Sequence, residues 1–83
     1  MQEKIKEAII VAAVFGKEAL IRPVWFVWRG QKYKIVKVTY SWIDSEGSAR
    51  RYNFSVTDGA NLYELCYNSK HLFWQLVTVE MEG

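Results

Sequence analysis

The residues best suited to covalent chemistry are the single cysteine and the single histidine, Cys66 and His71. A thiol can act as a nucleophile when a histidine accepts its proton and a third group orients that histidine. The sequence suggests no oxyanion donor beside this pair, and two side chains are fewer than the roughly three or four protein ligands that hold zinc. We therefore predict no catalytic residue, no metal site and no cofactor. Cys66 is interpreted as a half-buried apolar thiol and His71 as a surface loop residue.

The carboxylates show no arrangement typical of acid–base catalysis. Asp44 and Glu46 fall in a polar segment that we expect to be a loop, where solvation explains their charge. Glu64 is expected near Arg51 on a neighbouring strand, which indicates a cross-strand ion pair. The chain is therefore predicted to be a non-enzymatic binding or interaction module.

One stretch has the composition of a nucleic-acid-binding surface, because the residues between Ala19 and Ile43 include several cations and no acid. Strand alternation places an aromatic ring on the same side as three lysines, and such a ring can stack on a base while the cations bind phosphates. The alternative is an ordinary solvated face on which lysine stems lie over a tryptophan. A weak single-stranded nucleic-acid site would consist of Trp25, Arg29, Lys32, Lys34 and Lys37.

A second surface is apolar and lies on the outward side of the last predicted hairpin. Apolar patches of this kind are rarely left bare on a monomer. The segment from Ile5 to Phe15 could cover it, or it could bind an unidentified partner protein or a second copy of the chain. The protein-interaction candidates are Leu62, Phe73 and Val77.

The elements that carry these residues are predicted to be short antiparallel strands. Arg29-Gly30 is the turn of the first hairpin, which sets Phe26 opposite Tyr33 and Trp25 opposite Lys34. Arginine is disfavoured where φ must be positive, so a G1 bulge is the alternative register at this turn. The strand from Lys32 to Trp42 changes phase, since Tyr33 and Ile35 are expected to point inward, and so are Val38, Tyr40 and Trp42. A bulge near Ile35-Val36 is therefore implied.

The second half of the chain contains two further turn signals. Asp58-Gly59 is the strongest turn, and a four-residue loop of Asn68 to His71 follows the next strand. With that loop length, Tyr67 would meet Leu72, and Leu65 would meet Trp74 on the same face. The two successive hairpins agree in register, which is typical of an antiparallel meander.

The N-terminal segment is ambiguous between helix and strand on its residue propensities alone. Apolar residues fall on all sides between Ala8 and Phe15, which favours a strand covered on both faces. A turn at Gly16-Lys17-Glu18 would end that strand. A helix over Glu3 to Leu20 is the alternative.

The chain of 83 residues is 51% hydrophobic and 24% charged, with a formal net charge of +2. This length fits one small domain, and no apolar run approaches the roughly 20 residues of a transmembrane helix. A lone cysteine is typical of the reducing cytoplasm. We predict a single cytoplasmic all-β domain over residues 1–83 with residues 1–7 frayed and a core over 8–81. It has about five or six antiparallel strands in a bent meander or partly open barrel. The predicted core includes Phe26, Trp28, Tyr33, Tyr52, Phe54, Leu65, Trp74 and Leu76.

A recurring set of aromatic, aliphatic and turn residues spans nearly the whole chain. It comprises Pro23, Phe26, Trp28-Arg29-Gly30, Tyr33, Ile35, Val38, Trp42, Tyr52, Val56, Gly59, Tyr63-Glu64-Leu65, Trp74, Leu76 and Val79. This pattern resembles a small bacterial all-β family of unknown function, with a related layout at the C-terminus of accessory proteins similar to Y-family translesion polymerases. The resemblance implies a strand over Ala8 to Phe15 and a possible link to DNA repair. It implies no catalytic residue.

Overall fold

The computed structural model of the chain describes residues 1–17 and 20–81, in which every paired strand is antiparallel. The all-β prediction is confirmed, but the prediction of about five or six strands is wrong, because the sheet has seven. The extra strand arises because the segment from Lys32 to Trp42 is divided at Ile35-Val36. The strands are β1 (Gln2–Phe15), β2 (Ile21–Trp28), β3 (Gln31–Lys34), β4 (Lys37–Glu46), β5 (Ala49–Thr57), β6 (Leu62–Asn68) and β7 (Phe73–Glu80).

The long strand β1 forms one corner of the molecule, since its two halves pair with different neighbours. Ile9 lies opposite Trp74 of β7, whereas the next residue, Ile10, lies opposite Val27 of β2. The bend is helped by a bulge in the β1–β7 pairing, where Lys6 adopts a positive φ of 53°. The sheet therefore turns over on itself around β1.

The segment between β3 and β4, Ile35-Val36, forms a second corner in the same way. The backbone N–H of Ile35 donates to Val24 of β2 over 3.0 Å, and that of Val36 donates to Thr57 of β5 over 2.8 Å. Beyond this point β3 and β4 are the two ends of the strand order β3-β2-β1-β7-β6-β5-β4, so the sheet does not close. The result is a bent, unclosed antiparallel sheet.

The core lies on the inner face of this sheet and is rich in aromatic residues, as predicted. Phe26, Leu65 and Leu76 are fully buried at 0% exposure, and burying a large apolar side chain contributes roughly 1.5 to 3 kcal/mol. Phe54 and Trp74 are also buried, in tilted contact with ring centroids 5.7 Å apart. The other predicted core residues are partly buried against this cluster; they are Trp28, Tyr33 and Tyr52.

The first hairpin has the predicted register, with Phe26 opposite Tyr33 and Trp25 opposite Lys34. Its turn residues Arg29 and Gly30 both have positive φ, at 51° and 76°. Two positive φ values at the centre of a two-residue loop are typical of a type I′ turn, which matches the twist of the flanking strands. The alternative register with a G1 bulge is therefore wrong.

The last hairpin keeps the predicted face but not the predicted register. Tyr67 lies opposite Trp74, and Leu65 lies opposite Leu76. The loop is shifted by one residue because Asn68 belongs to β6, and its side-chain oxygen accepts the backbone N–H of His71 over 3.0 Å. The Asn68 side chain thus holds the loop that follows β6, and the partner positions move by two.

The N-terminal segment is a strand, so the helix alternative is wrong. β1 begins at Gln2, which lies opposite Glu80, so most of residues 1–7 belong to a paired strand although we expected them to fray. The predicted turn at Gly16-Lys17-Glu18 falls partly on Glu18, which lies outside the described residues. Within residues 1–17 and 20–81, no helical segment has the length and hydrophobicity to cross a lipid bilayer.

Candidate functional site

The outward face of the first hairpin carries Trp25 and two of the predicted lysines, as alternation required. Lys34 lies opposite Trp25, and Lys32 lies opposite Val27. The ammonium nitrogen of Lys32 is 4.5 Å from the centroid of the Trp25 ring. A cation–π contact of this kind already occupies one face of the ring. Lys37 is further away along the chain, at the start of β4 and beyond the second corner.

Arg29 does not belong to that face, because it is engaged by a carboxylate on β1. Its Nη2 donates to Oε2 of Glu7 over 2.6 Å, and its Nε donates to Oε1 over 3.3 Å. The indole N–H of Trp28 donates to the same carboxylate over 3.0 Å. These hydrogen bonds, first from Arg29 and then from Trp28, hold the pKa of Glu7 below its ordinary value. The cluster ties the hairpin turn to β1.

The apolar candidates on β6 and β7 do not form one strip. Leu62 lies opposite Glu80 at one end of the strand pair, and Phe73 lies opposite Asn68 at the other. Six residues of strand separate the two ends, which is about 20 Å. Val77 sits at the bulge between them and is half-buried, while Phe73 is 40% exposed. A single contact surface made of these three residues would have to span most of the sheet.

The middle of that outer face is polar rather than apolar. Arg51 donates from Nε and Nη2 to the two carboxylate oxygens of Asp44, each over 2.9 Å, and its Nη1 lies 3.5 Å from Glu46. Both acids lie in β4 rather than in a loop, because β4 continues to Glu46. The expected pair between Arg51 and Glu64 is therefore replaced by these ion pairs. The pKa of Asp44 is lowered, chiefly by the Arg51 hydrogen bond.

Cys66 and His71 are in surroundings that do not favour nucleophilic chemistry. Cys66 is only 4% exposed, and burial raises the pKa of its thiol, which disfavours the reactive thiolate. His71 is exposed in the loop after β6, where its backbone N–H donates to Asn68. In the described part of the chain, no group of three or more histidine, cysteine and acidic side chains is placed to hold a metal ion.

The main apolar concavity lies where the sheet fails to close, between β4 and the end of the β1–β2 hairpin. Two adjoining cavities of about 340 and 410 Å³ open there, and they share Leu20, Ile21, Ser41 and Phe54. Phe54 of the core forms part of the floor, so the space continues the apolar interior toward solvent. We call this space the edge cleft and define it by Val14, Leu20, Ile21, Arg22, Val38, Ser41, Trp42, Ile43, Tyr52 and Phe54.

A bulge in β4 shapes the edge cleft. The pairing of β4 with β5 shifts between Val38 and Tyr40, and the hydroxyl of Thr39 donates to the Ser55 carbonyl over 3.0 Å. The bulge moves Tyr40 and Trp42 to the outer face, so the expectation that they point inward is wrong.

The inner positions of β4 are then held by smaller or more exposed side chains. Ser41 lies opposite Phe54, and Ile43 lies opposite Tyr52, on the core side of the sheet. A serine fills much less of the interior than an aromatic ring, which leaves space above Phe54. Sequence alternation alone could not locate this space, because a one-residue bulge exchanges the two faces of the strand.

Two strand edges border the edge cleft. One edge of β4 pairs with β5, and within residues 1–17 and 20–81 no strand pairs with its other edge. Across the cleft, β3 pairs with β2 only from Trp25 to Trp28, which leaves β2 open from Ile21 to Pro23. The β4 edge is ten residues long, contains no proline and carries a lysine only at its first residue, Lys37. Its bulge at Thr39 and its acids Asp44 and Glu46 can discourage pairing, so the stretch free of such features runs from Tyr40 to Ile43.

Comparison with known proteins gives no match to a protein-family model, to a curated protein or to a solved structure. We therefore base the functional proposal on the geometry of the edge cleft and of the strand edge beside it.

Proposed function

We propose that this domain is a non-enzymatic protein-interaction module that binds an extended segment of a partner at the free edge of β4. In this mode a partner strand continues the sheet. Its backbone hydrogen-bonds to the edge strand, and alternate side chains enter a neighbouring pocket. The observation that carries the proposal is the unpaired edge of β4 lying directly beside the edge cleft.

The dimensions of the edge cleft support this proposal. Each of its two cavities, of about 340 and 410 Å³, lies in the range of roughly 300 to 1,000 Å³ that is usual for ligand pockets. Ile43 is 57% exposed at its rim, and Leu20 is 69% exposed on the opposite side. A strand laid along β4 would cover these side chains and remove apolar surface from water. Binding would therefore combine backbone hydrogen bonds with hydrophobic burial.

The edge of β4 is a better acceptor than the edge of β2. The open part of β2 is short, from Ile21 to Pro23, and proline has no N–H to donate to an added strand. β4 contains no proline, and beyond the bulge at Thr39 it continues as regular strand to Glu46. We therefore assign the backbone contacts to β4 and the role of an apolar wall to β2.

The burial of the lone cysteine is consistent with a binding role without catalysis in a reducing, cytoplasmic setting. Burial disfavours the thiolate of Cys66, and His71 lies exposed in the loop after β6. These surroundings support a structural role for the thiol.

The proposal can be tested with blocked ten-residue peptides that alternate valine with a polar residue, added to the ¹⁵N-labelled domain. Strand addition should shift the amide resonances of β4 most strongly and should protect them from hydrogen exchange. Ile43→Lys should abolish binding, because it places a charge at the rim of the apolar cleft. Tyr40→Lys is the matched control, since it puts the same charge on the outer face of the same strand and should leave binding intact. Shifts confined to surfaces other than β4 would overturn the proposal, as would the absence of binding at millimolar peptide.

Single-stranded nucleic-acid binding is a second candidate, favoured by the common outward face of Trp25, Lys32 and Lys34. It would also agree with the possible DNA-repair link of the resembling family. A labelled oligonucleotide titrated by fluorescence anisotropy at low salt is the test. If a base replaces Lys32 on the Trp25 ring, Trp25→Ala should weaken binding by about 1 to 3 kcal/mol. No binding at about 100 μM protein would exclude this function, since phosphate contacts are strongest at low salt.

A further inference from the structure

The chemistry of the partner segment can be inferred from the charges around the edge cleft, and this step rests on the proposed function. Arg22 lines the edge cleft together with Val38 and Ser41, the β4 residues that lie across from it. Arg22 and Lys37 also line an adjoining cavity of about 130 Å³ at the second corner. Arg22 and Lys37 therefore flank the N-terminal end of the free β4 edge.

These cations have no acidic partner in the described structure. The ion pairs seen within residues 1–17 and 20–81 join Arg29 to Glu7 and Arg51 to Asp44 and Glu46. None of them includes Arg22 or Lys37.

An acidic residue of the β5–β6 turn, which lies beside the second corner, is also engaged. Asp58 accepts the hydroxyl of Tyr63 over 2.9 Å and the backbone N–H groups of Ala60 and Asn61 over 2.9 and 2.8 Å. Its two carboxylate oxygens are thus used to hold the turn before β6. Among residues 1–17 and 20–81, no acidic side chain pairs with the cations at the entrance of the edge cleft.

We infer that the partner is an extended acidic segment, with apolar side chains facing the edge cleft and carboxylates at the end that pairs with Val38 to Ser41. There the carboxylates would reach Arg22 and Lys37. A guanidinium can bind a carboxylate through two parallel N–H···O bonds, and such charge-assisted bonds are roughly twice as strong as neutral ones. The opposite end of β4 carries Asp44 and Glu46 and offers no comparable attraction for an acid.

The inference is tested with three blocked peptides that share alternating valines and differ only in the residues between them, which are glutamate, glutamine or lysine. The glutamate peptide should bind about tenfold more tightly than the glutamine peptide, as expected for charge-assisted hydrogen bonds at the rim, and the lysine peptide should bind most weakly. The advantage of glutamate should shrink as salt is added, because salt screens exposed charges.

Arg22→Gln should remove most of the preference for glutamate, measured as the ratio of the affinities for the glutamate and glutamine peptides. Arg50→Gln is the matched control, since Arg50 is an exposed arginine opposite Ser45 near the far end of β4. It should alter neither affinity. Equal binding of the three peptides at β4 would overturn the inference and leave the proposed function standing. Failure of all three to shift β4 would overturn both.

Self-association is distinguished by the mass of the free domain in light scattering across concentration. A dimer whose β4 amides are protected from exchange without any peptide would show that a second copy occupies the edge. That result would overturn the acidic partner.

Discussion

Burial in the folded protein disfavours the ionised form of the Glu64 side chain. Glu64 lies half-buried on β6, and burial raises its pKa, with a smaller contribution from the negative charge of Asp44. Arg51 would offset this effect more fully if it paired with Glu64, but its guanidinium is bound to Asp44 and Glu46. Ionised Glu64 therefore costs stability at neutral pH.

Glu64→Gln should raise the melting temperature at pH 7. The folded pKa of Glu64 lies above its unfolded value of about 4.3, so the cost is fully present above the folded pKa. It disappears as the pH falls well below the unfolded value, where Glu64 is protonated in both states. Thermal unfolding followed by circular dichroism between about pH 7 and pH 3 should show the difference between the two proteins shrinking in acid.

The control for this substitution is Glu80→Gln, which neutralises an exposed carboxylate at the end of β7. It should change the melting temperature little at either pH. A Glu64→Gln protein that melts below the wild type at pH 7 would contradict the prediction and show that the charge of Glu64 is stabilising.

At the residue scale, the sequence predicted which side chains share a strand face better than it predicted their partners. Trp25 and Lys34 were placed correctly because a two-residue turn fixes their register. Arg29 was misplaced because its partner, Glu7, is 22 residues away in sequence and is brought near only when β1 pairs with β2. Ion pairs of that kind depend on tertiary structure, which strand alternation does not report.

At the scale of elements, the turn between β5 and β6 depends on one glycine. Gly59 has a φ of 98°, a conformation that residues with a Cβ rarely adopt. A Cβ built there would lie 3.8 Å from Val36, which is an ordinary contact. The obstacle to substitution is therefore backbone strain rather than a clash.

Gly59→Ala should lower the free energy of unfolding by about 1 to 2 kcal/mol. The matched control is Gly16→Ala, since Gly16 lacks a positive φ and a Cβ there also meets its nearest atom at 3.8 Å. That variant should stay within about 0.5 kcal/mol of the wild type. Urea denaturation of both variants measures the difference, and equal stabilities would show that the turn relaxes to accommodate alanine.

Turns were located from sequence, whereas bulges were not: at Ile35-Val36, where a bulge was expected, the chain passes from β3 to β4, and the bulge itself lies at Thr39. Asp58-Gly59 and Arg29-Gly30 have residue types that specify a reversal of the chain, and each was located correctly. The bulges at Thr39 and Val77 depend on how neighbouring strands bend, and neither has a distinctive residue type. The bulge in β4 exchanged its two faces, and for this reason the sequence did not reveal the edge cleft.

For the whole molecule, the pairings of β1 imply slow folding. Gln2 of β1 pairs with Glu80, so the chain must close almost its full length to complete the sheet. All-β domains dominated by such distant contacts fold in roughly milliseconds to seconds. Stopped-flow refolding followed by tryptophan fluorescence should give times in this range. A microsecond phase that carries the full amplitude would contradict it.

Length and composition predicted one small domain with an aromatic core, and strand alternation with turn residues predicted that it is all-β. The number of strands and the unclosed sheet were harder to predict, because both depend on where a continuous segment changes its pairing partner. Ile35 and Val36 bond to different strands although they are adjacent in sequence. Their residue types fit an uninterrupted strand equally well.

The two ends of the described chain are joined by backbone hydrogen bonds. The N–H of Met81 donates to the Met1 carbonyl over 3.0 Å, and the ammonium of Met1 donates to the Met81 carbonyl over 3.3 Å. The two ends of the described chain are thus adjacent in space, and a short linker could join them without disturbing β1 or β7. A circular permutant reopened at the exposed Gly47-Ser48 turn would keep all seven strands. For the same reason, the domain could be inserted as a cassette into a surface loop of a host protein, because its entry and exit points need almost no separation.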